Sequence, residues 1–269
     1  MFIRYKNSSI HYIRFGTGPQ FLFAFHGFSE SSNSFLALEP ALKTNYTVIA
    51  LDLPFHGATE WKENTPFTTD DLQGIISALL HELSITRFSV LGFSMGGKCA
   101  LYAVLQFPEK IDRLLLMASD GIRTNKIYNV AVYPAWGREL FKTTILHPRW
   151  FFTMVRITRS LGIISPWLYK FTYNHMDTRE KRQRLYDTWI SMSQFNPDIE
   201  KVKQLINENA IHTLLFFGKR DEVIPPSVGR YFAEGLTHCR LVELERGHYF
   251  IDERLCPSLE AALKADRGS

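Results

Sequence analysis

Short apolar runs alternate with turns and with helical patterns along much of this chain. Some of the runs, such as Phe21–Phe25 and Tyr46–Leu51, are continuously apolar, which is typical of strands that are buried on both faces of a sheet. The runs with strand character are Phe2–Tyr5, Ile10–Phe15, Phe21–Phe25, Tyr46–Leu51, Phe88–Leu91, Arg113–Met117, Thr213–Phe217 and Arg240–Leu244.

Between several of these runs, the apolar residues recur at the spacing of a helix. Thr68 and Asp71 resemble a capping box, and the residues after them place one apolar face at helical spacing. A second helical run extends from Gly97 to Phe107, where Pro108 ends it. Strands that alternate with helices predict an α/β fold with a mostly parallel, largely eight-stranded sheet and helices on both faces.

The alternation stops between residues 121 and 210, where the chain is helical in pattern, aromatic and basic. Four prolines interrupt the helical pattern of this segment, namely Pro134, Pro148, Pro166 and Pro197. We therefore expect a core of residues 1–120 and 211–269. Residues 121–210 are expected to form a helical cap, inserted before the last two strands and lying over the carboxyl edge of the sheet.

The composition is that of a soluble globular protein. The chain has 269 residues, of which 45% are hydrophobic and 22% charged, and it contains no apolar run of the roughly 18 residues that a membrane span needs. The first residues lack the apolar core of a signal peptide. Cys99, Cys239 and Cys256 have no metal-ligand spacing, which suits a reducing compartment. We expect a cytoplasmic protein.

The charge is small overall but uneven. A net charge of +4 is too low to indicate a nucleic-acid partner. Residues 121–210 contain 14 Lys/Arg and 7 Asp/Glu, a net of +7. A solvated helical surface explains this charge best; a preference for anionic substrates and contact with an anionic membrane surface are the alternatives.

The strongest indication of a catalytic residue is the motif Gly92-Phe93-Ser94-Met95-Gly96, which reads G-x-S-x-G between a strand and a helix. A serine presented on so sharp a turn adopts a backbone conformation that side chains disfavour. The residues two before and two after it pass close together, so both are expected to be glycine. This pattern is typical of a serine nucleophile.

Two further residues could complete the machinery for serine chemistry. Asp221 follows the strand-like run Thr213–Phe217, and His248 follows Arg240–Leu244. The carboxyl ends of parallel strands meet at one edge of a sheet, so both side chains are expected near Ser94. Asp120, just after Arg113–Met117, is the alternative acid.

Together these segments resemble the α/β-hydrolase superfamily, in particular its capped serine esterases. The other matching motifs are His26-Gly27-Phe28, Asp52-Leu53-Pro54-Phe55-His56-Gly57, Gly218-x-x-Asp221-x-x-x-Pro225 and Gly247-His248. The resemblance covers roughly residues 1–120 and 211–265. The chain departs from it at Phe55, where a glycine usually precedes the histidine.

The resemblance implies a role for each site residue. Ser94 would be the nucleophile and His248 the general base and then acid, while Asp221 would hold the tautomer of His248. The backbone N–H groups of Phe28 and Met95 would form the oxyanion hole. His56 would be structural.

The same resemblance implies a pocket for an apolar acyl group, with no metal and no cofactor. Its candidate lining residues are His26, Phe28, Phe93, Trp136 and Trp167, although His26 is explained better as an anchor of the oxyanion turn. We expect cleavage of a small or medium acyl carboxylic ester. The alternatives are the same serine chemistry on a carbon–carbon, thioester or lyase substrate, and a hydrolase-fold receptor or scaffold without turnover.

Overall fold

Strands form where the apolar runs predict them. The computed structural model describes residues 1–123, 126–164 and 166–265. Its strands are β1 (Phe2–Tyr5), β2 (Ser8–Phe15), β3 (Gln20–Phe25), β4 (Tyr46–Leu51), β5 (Phe88–Phe93), β6 (Ile111–Met117), β7 (His212–Gly218) and β8 (Cys239–Leu244).

These strands make one sheet in the order β1-β2-β4-β3-β5-β6-β7-β8. The pairs β1–β2 and β2–β4 are antiparallel, and every other neighbouring pair is parallel. The prediction of a mostly parallel, eight-stranded sheet is therefore confirmed. The carboxyl ends of β3, β5, β6, β7 and β8 share one edge, which is where loops carry functional side chains in such sheets.

The chain divides into two compact units, Met1–Arg123 with Phe195–Ser269, and Thr124–Gln194. We call them the sheet unit and the helical unit. The helices of the sheet unit are α1 (Glu39–Leu42), α2 (Thr69–Glu82), α3 (Gly96–Gln106), α9 (Ile199–Glu208), α10 (Pro226–Ala233) and α11 (Cys256–Ala265); those of the helical unit are α4 (Lys126–Val132), α5 (Ala135–Leu146), α6 (Arg149–Ser160), α7 (Pro166–Met176) and α8 (Arg179–Met192).

Helices cover both faces of the sheet. Alternate residues of β7 show this, because Phe216 packs in the cluster that includes Leu259 of α11, whereas Phe217 contacts Gly229 of α10. Successive side chains of a strand point to opposite faces, so α10 and α11 lie on different sides. Both faces are apolar as a result, which explains the continuous apolar runs.

The predicted capping box begins α2. The Thr68 hydroxyl accepts a hydrogen bond from Asp71 N (3.2 Å), and Thr68 N donates to Asp71 Oδ2 (3.0 Å). Two N–H groups that a helix start leaves without acceptors are thereby satisfied.

The helical unit holds together through aromatic packing. The Trp189 ring of α8 lies 5.3 Å from Tyr128 of α4 and 5.4 Å from Phe141 of α5, between ring centroids. Arg182 Nε donates to the carbonyl of Ile145 at the carboxyl end of α5 (2.9 Å). Several aromatic side chains of the segment thus stabilise the unit itself.

The boundary of the helical unit lies earlier than residue 210, where we expected the insertion to end. Phe195 is completely buried, and its ring stacks on Phe67 with centroids 5.3 Å apart. Val202 and Ile206 of α9 are buried as well. Because these apolar side chains pack on the sheet unit, α9 belongs to it despite its helical and charged sequence.

None of the helices in the described residues has both the length and the apolar character that crossing a bilayer requires.

Gly96 is expected to be essential for the junction of β5 and α3. A Cβ atom there would lie 2.0 Å from Phe25 O, whereas one at Gly235 would meet nothing within 4 Å. We predict that Gly96→Ala lowers the free energy of unfolding by roughly 3 kcal/mol or more. Gly235→Ala, which suffers only from its positive φ, should cost about 1 kcal/mol. Urea unfolding of both variants tests this, and equal losses would contradict it.

Candidate active site

Ser94 stands on a strained turn where β5 meets α3. Its φ is +49°, a left-handed conformation that non-glycine residues adopt at a cost of roughly 1–2 kcal/mol. Ser94 N donates to Met117 O (3.0 Å), and Asp120 N donates to Ser94 O (2.9 Å). The backbone of the serine is therefore held by the end of the neighbouring strand β6.

The glycines beside Ser94 permit a close passage of strand and helix. A Cβ atom on Gly92 would lie 2.6 Å from the Cα atom of Gly97, and one on Gly97 would lie 1.9 Å from Ser119 Oγ. Both distances are far below van der Waals contact. The G-x-S-x-G-G spacing thus follows from the geometry of the turn.

The loops after β7 and β8 bring Asp221 and His248 to this serine. Ser94 Oγ lies 2.9 Å from His248 Nε2, and His248 Nδ1 lies 2.8 Å from Asp221 Oδ2. Three side chains that are far apart in sequence therefore form one hydrogen-bonded chain. A carboxylate oxygen only accepts, so Nδ1 carries the proton and Nε2 is free to accept the proton of the serine hydroxyl.

The orientation of Asp221 is set by its own loop. Val223 N and Ile224 N donate to Asp221 Oδ1 at 2.7 and 2.8 Å, which leaves Oδ2 for His248. The side chain of Asp221 is completely buried and that of His248 is 7% exposed. Little water competes for the hydrogen bond between them.

The imidazole of His248 packs between aromatic rings. Phe93 lies 5.5 Å from it between centroids, and Tyr249 lies 5.3 Å away edge-on. Phe93, which we expected to line the substrate pocket, is only 1% exposed. Because it contacts the histidine from within the core, its place is in positioning His248.

The turn that follows β3 lies directly against the serine. A Cβ atom on Gly27 would be 3.4 Å from Ser94 Cβ and 3.0 Å from the Phe93 ring. Glu30 N donates to Gly27 O (3.2 Å), and Ser29 has a φ of +64°, so the turn is tight. Phe28 is half-buried at this turn, with its ring edge-on to that of His56.

Met95 follows the serine at the start of α3 and is buried. The first N–H groups of a helix have no acceptor within it, and the helix dipole favours negative charge there. The N–H groups of Met95 and Phe28 thus belong to the two segments that adjoin Ser94.

His26 anchors the Gly27 turn from below and does not line a pocket. Its ring is completely buried, Nδ1 donates to Gly27 O (2.7 Å), and Nε2 accepts from Leu53 N (3.0 Å). Both ring nitrogens are therefore occupied by backbone. Burial lowers the pKa of His26 to about 4, so the ring is neutral at neutral pH.

The loop after β4, which His26 contacts, is organised by Asp52. This buried carboxylate accepts from Ser32 N (2.6 Å), Ala58 N (2.8 Å) and His11 Nδ1 (2.8 Å). Burial alone would raise the pKa of Asp52, but these hydrogen bonds favour the charged form and hold the pKa below its usual value.

Phe55, the departure from the family pattern, has a φ of +70°. The loop therefore retains the left-handed conformation that glycine supplies elsewhere. His56 Nδ1 lies 2.9 Å from Pro54 O within the same loop. The substitution is accommodated as local strain, and the loop keeps its contact with His26.

Asp120, the alternative acid, is held elsewhere. Its Oδ1 accepts from Gly121 N (2.7 Å), and its Oδ2 lies 3.6 Å from Lys98 Nζ. His248 Nδ1 donates its hydrogen bond to Asp221 Oδ2 instead. The geometry favours Asp221 as the partner of the histidine.

Glu30 is a site residue that we did not single out from the sequence. Its Oε2 is buried without a hydrogen-bond partner in the described part of the chain. Burial raises the pKa of Glu30, while hydrogen bonds from Gly27 and Ser34 and the charge of a protonated His248 oppose this shift. Glu30 lies in a turn and belongs to no motif, so the sequence gives no signal for it. It stands out only because its carboxyl group is buried beside His248.

The two remaining candidates belong to the helical unit. Trp136 lies on α5 and is 63% exposed. The side chain of Trp167 is outside the described residues. Their contribution to a substrate pocket stays a prediction.

Comparisons with known proteins agree with the fold. A family model for the alpha/beta hydrolase fold matches residues 21–148. The uncharacterized hydrolase YugF of Bacillus subtilis is 25% identical over 240 residues, which cover 88% of this chain and 86% of YugF. The pimeloyl-(acyl-carrier protein) methyl ester esterase of Neisseria meningitidis is 26% identical over 235 residues, 84% of this chain and 69% of that protein.

Among solved structures, the meta-cleavage product hydrolase CumD of Pseudomonas fluorescens IP01 shares the fold. Its TM-score is 0.61 at 20% sequence identity, and the likeness covers 97% of this chain and 96% of that chain. At this level of identity the likeness shows the fold alone.

The buried His26 predicts a loss of stability in mild acid. Its pKa is about 4 in the folded protein and roughly 6.5 in an unfolded chain. The unfolded state therefore binds the proton more readily, and stability that is complete above pH 6.5 is lost as the pH falls toward 4. We expect this residue to contribute a loss of about 3 kcal/mol across that window.

Urea unfolding at several pH values tests the effect on wild type and His26→Gln. The variant is expected to be less stable at neutral pH, because glutamine cannot replace both hydrogen bonds, and to show a flatter pH dependence between 6.5 and 4. An unchanged slope in the variant would show that other groups cause the acid sensitivity.

Proposed function

We propose that this chain, which belongs to the α/β-hydrolase superfamily, is a serine esterase that cleaves small or medium acyl carboxylic esters. The observation that carries the proposal is the chain of hydrogen bonds from Ser94 Oγ through His248 to Asp221, at 2.9 and 2.8 Å. The proposed roles are nucleophile for Ser94, general base and acid for His248, and orienting acid for Asp221.

Acylation begins when Ser94 Oγ attacks the ester carbonyl carbon and His248 Nε2 takes the hydroxyl proton. Asp221 stays ionised and stabilises the imidazolium that forms. The carbonyl oxygen becomes an oxyanion, which the N–H groups of Met95 and Phe28 are proposed to bind. Each such donor is worth roughly 3–4 kcal/mol in comparable sites.

The tetrahedral intermediate collapses when His248 gives its proton to the leaving alcohol oxygen and the carbon–oxygen bond breaks. This step leaves the acyl group on Ser94 Oγ. Water then attacks the acyl carbon while His248 accepts a proton from it, and the proton passes back to Ser94 as the carboxylic acid leaves. No cofactor takes part in this sequence.

Similarity to a named esterase supports ester cleavage. The relative from Neisseria meningitidis, 26% identical over most of this chain, is named a methyl ester esterase. The half-buried Phe28 offers an apolar ring beside the proposed oxyanion site, which suits an apolar acyl group.

The same triad could act on a carbon–carbon, thioester or lyase substrate, since one fold hosts many chemistries. A receptor or scaffold has no need of a strained serine in line with a buried histidine and carboxylate. All three cysteines are free thiols, and we propose a reducing, cytoplasmic location on that basis.

Turnover of chromogenic esters is the test of the proposed function. We expect wild type to cleave acetyl, butyryl and octanoyl esters faster than palmitoyl esters, and Ser94→Ala to lose turnover while keeping its fold by circular dichroism. Activity that survives in Ser94→Ala would refute the nucleophile. A folded wild type that cleaves no ester would favour a carbon–carbon, thioester or lyase substrate instead.

Asp221→Asn distinguishes the two candidate acids. The amide of asparagine can donate to Nδ1 of His248 and so hold the wrong tautomer, which we expect to lower kcat by roughly three to four orders of magnitude. Asp120→Asn, the matched control, should lower it by less than about tenfold, since Asp120 pairs with Lys98. If Asp120→Asn were the more damaging change, our choice of acid would be wrong.

A further inference from the structure

Helix α6 carries an apolar stripe that faces solvent. Trp150, Met154 and Ile157 are 41%, 43% and 54% exposed, and Leu161 just beyond the helix is 67% exposed. Steps of four, three and four residues place these side chains on one face of a helix. Val155 is the one buried residue of α6, and it points more than about a third of a turn away from the stripe.

The charged residues of α6 are all basic. The helix contains Arg149, Arg156 and Arg159 and no acidic residue. Arg149 and Arg156 lie about a third of a turn round the helix from the stripe, on the same side of it. Two positively charged side chains therefore border the exposed apolar face on one side.

Neighbouring segments extend the same combination of properties. On α5, Trp136 and Leu140 are 63% and 49% exposed with the same four-residue spacing, and Ile163 after α6 is 68% exposed. Residues 124–194 contain 11 Lys/Arg and 4 Asp/Glu, a net of +7, while the rest of the chain has 20 against 23. Exposed apolar side chains and positive charge are thus concentrated in one unit.

These features favour a lipid surface over a second copy of the chain. Two copies that met through this stripe would bring together two units that each carry a net of +7, and like charges repel across an interface. An anionic bilayer surface attracts the arginines and receives apolar side chains at the depth of its head groups.

We propose that α6, with Leu161 just beyond it, docks the protein on a membrane surface that contains anionic lipid. Trp150, Met154, Ile157 and Leu161 enter the head-group region, and Arg149 and Arg156 contact lipid phosphates. The protein is held peripherally and reversibly, since apolar insertion and charge attraction act together.

Vesicle co-sedimentation tests the proposal with the full chain. We expect binding to phosphatidylcholine vesicles that contain phosphatidylserine, little binding to phosphatidylcholine alone, and release by added NaCl. The double variant Met154→Glu/Ile157→Glu should weaken binding at least about tenfold, because carboxylates are repelled by an anionic surface and do not enter it. Arg149→Gln/Arg156→Gln should remove most of the dependence on phosphatidylserine.

Leu36→Glu is the matched control, since Leu36 is 44% exposed but lies on the sheet unit. This variant should bind vesicles as wild type does. Circular dichroism of each variant ensures that a loss of binding is not a loss of fold. Absence of binding to anionic vesicles, or equal binding by wild type and the Met154/Ile157 variant, would overturn the proposal. A dimer in sedimentation velocity that this variant dissociates would assign the stripe to a second copy instead.

Discussion

The close passage of β5 and α3 is the constraint on which the rest of the site depends. Ser94 adopts a left-handed backbone because Gly92 and Gly97 approach within distances that no Cβ atom permits. Hydrogen bonds from and to β6 and its loop then fix the serine at the carboxyl edge of the sheet. The loops after β7 and β8 end at the same edge because those strands run parallel to β5, so Asp221 and His248 reach the serine.

Around this junction, buried polar groups hold the loops in place. His26 joins the turn after β3 to the loop after β4. The Asp52 carboxylate accepts hydrogen bonds from the backbone of Ser32 and Ala58 and from the side chain of His11. These groups stabilise the position of Phe28 rather than taking part in chemistry. A neutral, buried histidine at this point links the shape of the proposed oxyanion site to pH.

Much of the fold could be predicted because its signals are local. Strands buried on both faces appear as continuous apolar runs, and Thr68 with Asp71 marks the start of α2. The G-x-S-x-G pattern indicates the turn at Ser94 because the turn itself demands glycine. Asp221 and His248 could be placed near Ser94 because each follows a strand of the parallel sheet.

Other features depend on packing that no local pattern reports. Phe93 points into the core beneath His248, although its neighbour in sequence is the proposed nucleophile. The sequence pattern of α9 predicts that it belongs to the insertion, but Phe195 just before it packs on Phe67 of the sheet unit. The buried oxygen of Glu30 and the exposed stripe of α6 appear only when burial is known residue by residue.

Covalent labelling with a fluorophosphonate is the most direct test of Ser94 as an activated nucleophile, because such reagents react with a serine only when a base activates it. After labelling, peptide mapping by mass spectrometry identifies the modified residue. We expect one adduct, on Ser94, that forms far more slowly in His248→Gln. A folded protein that takes no label, or takes it on another serine, would contradict the assignment of Ser94 as the nucleophile.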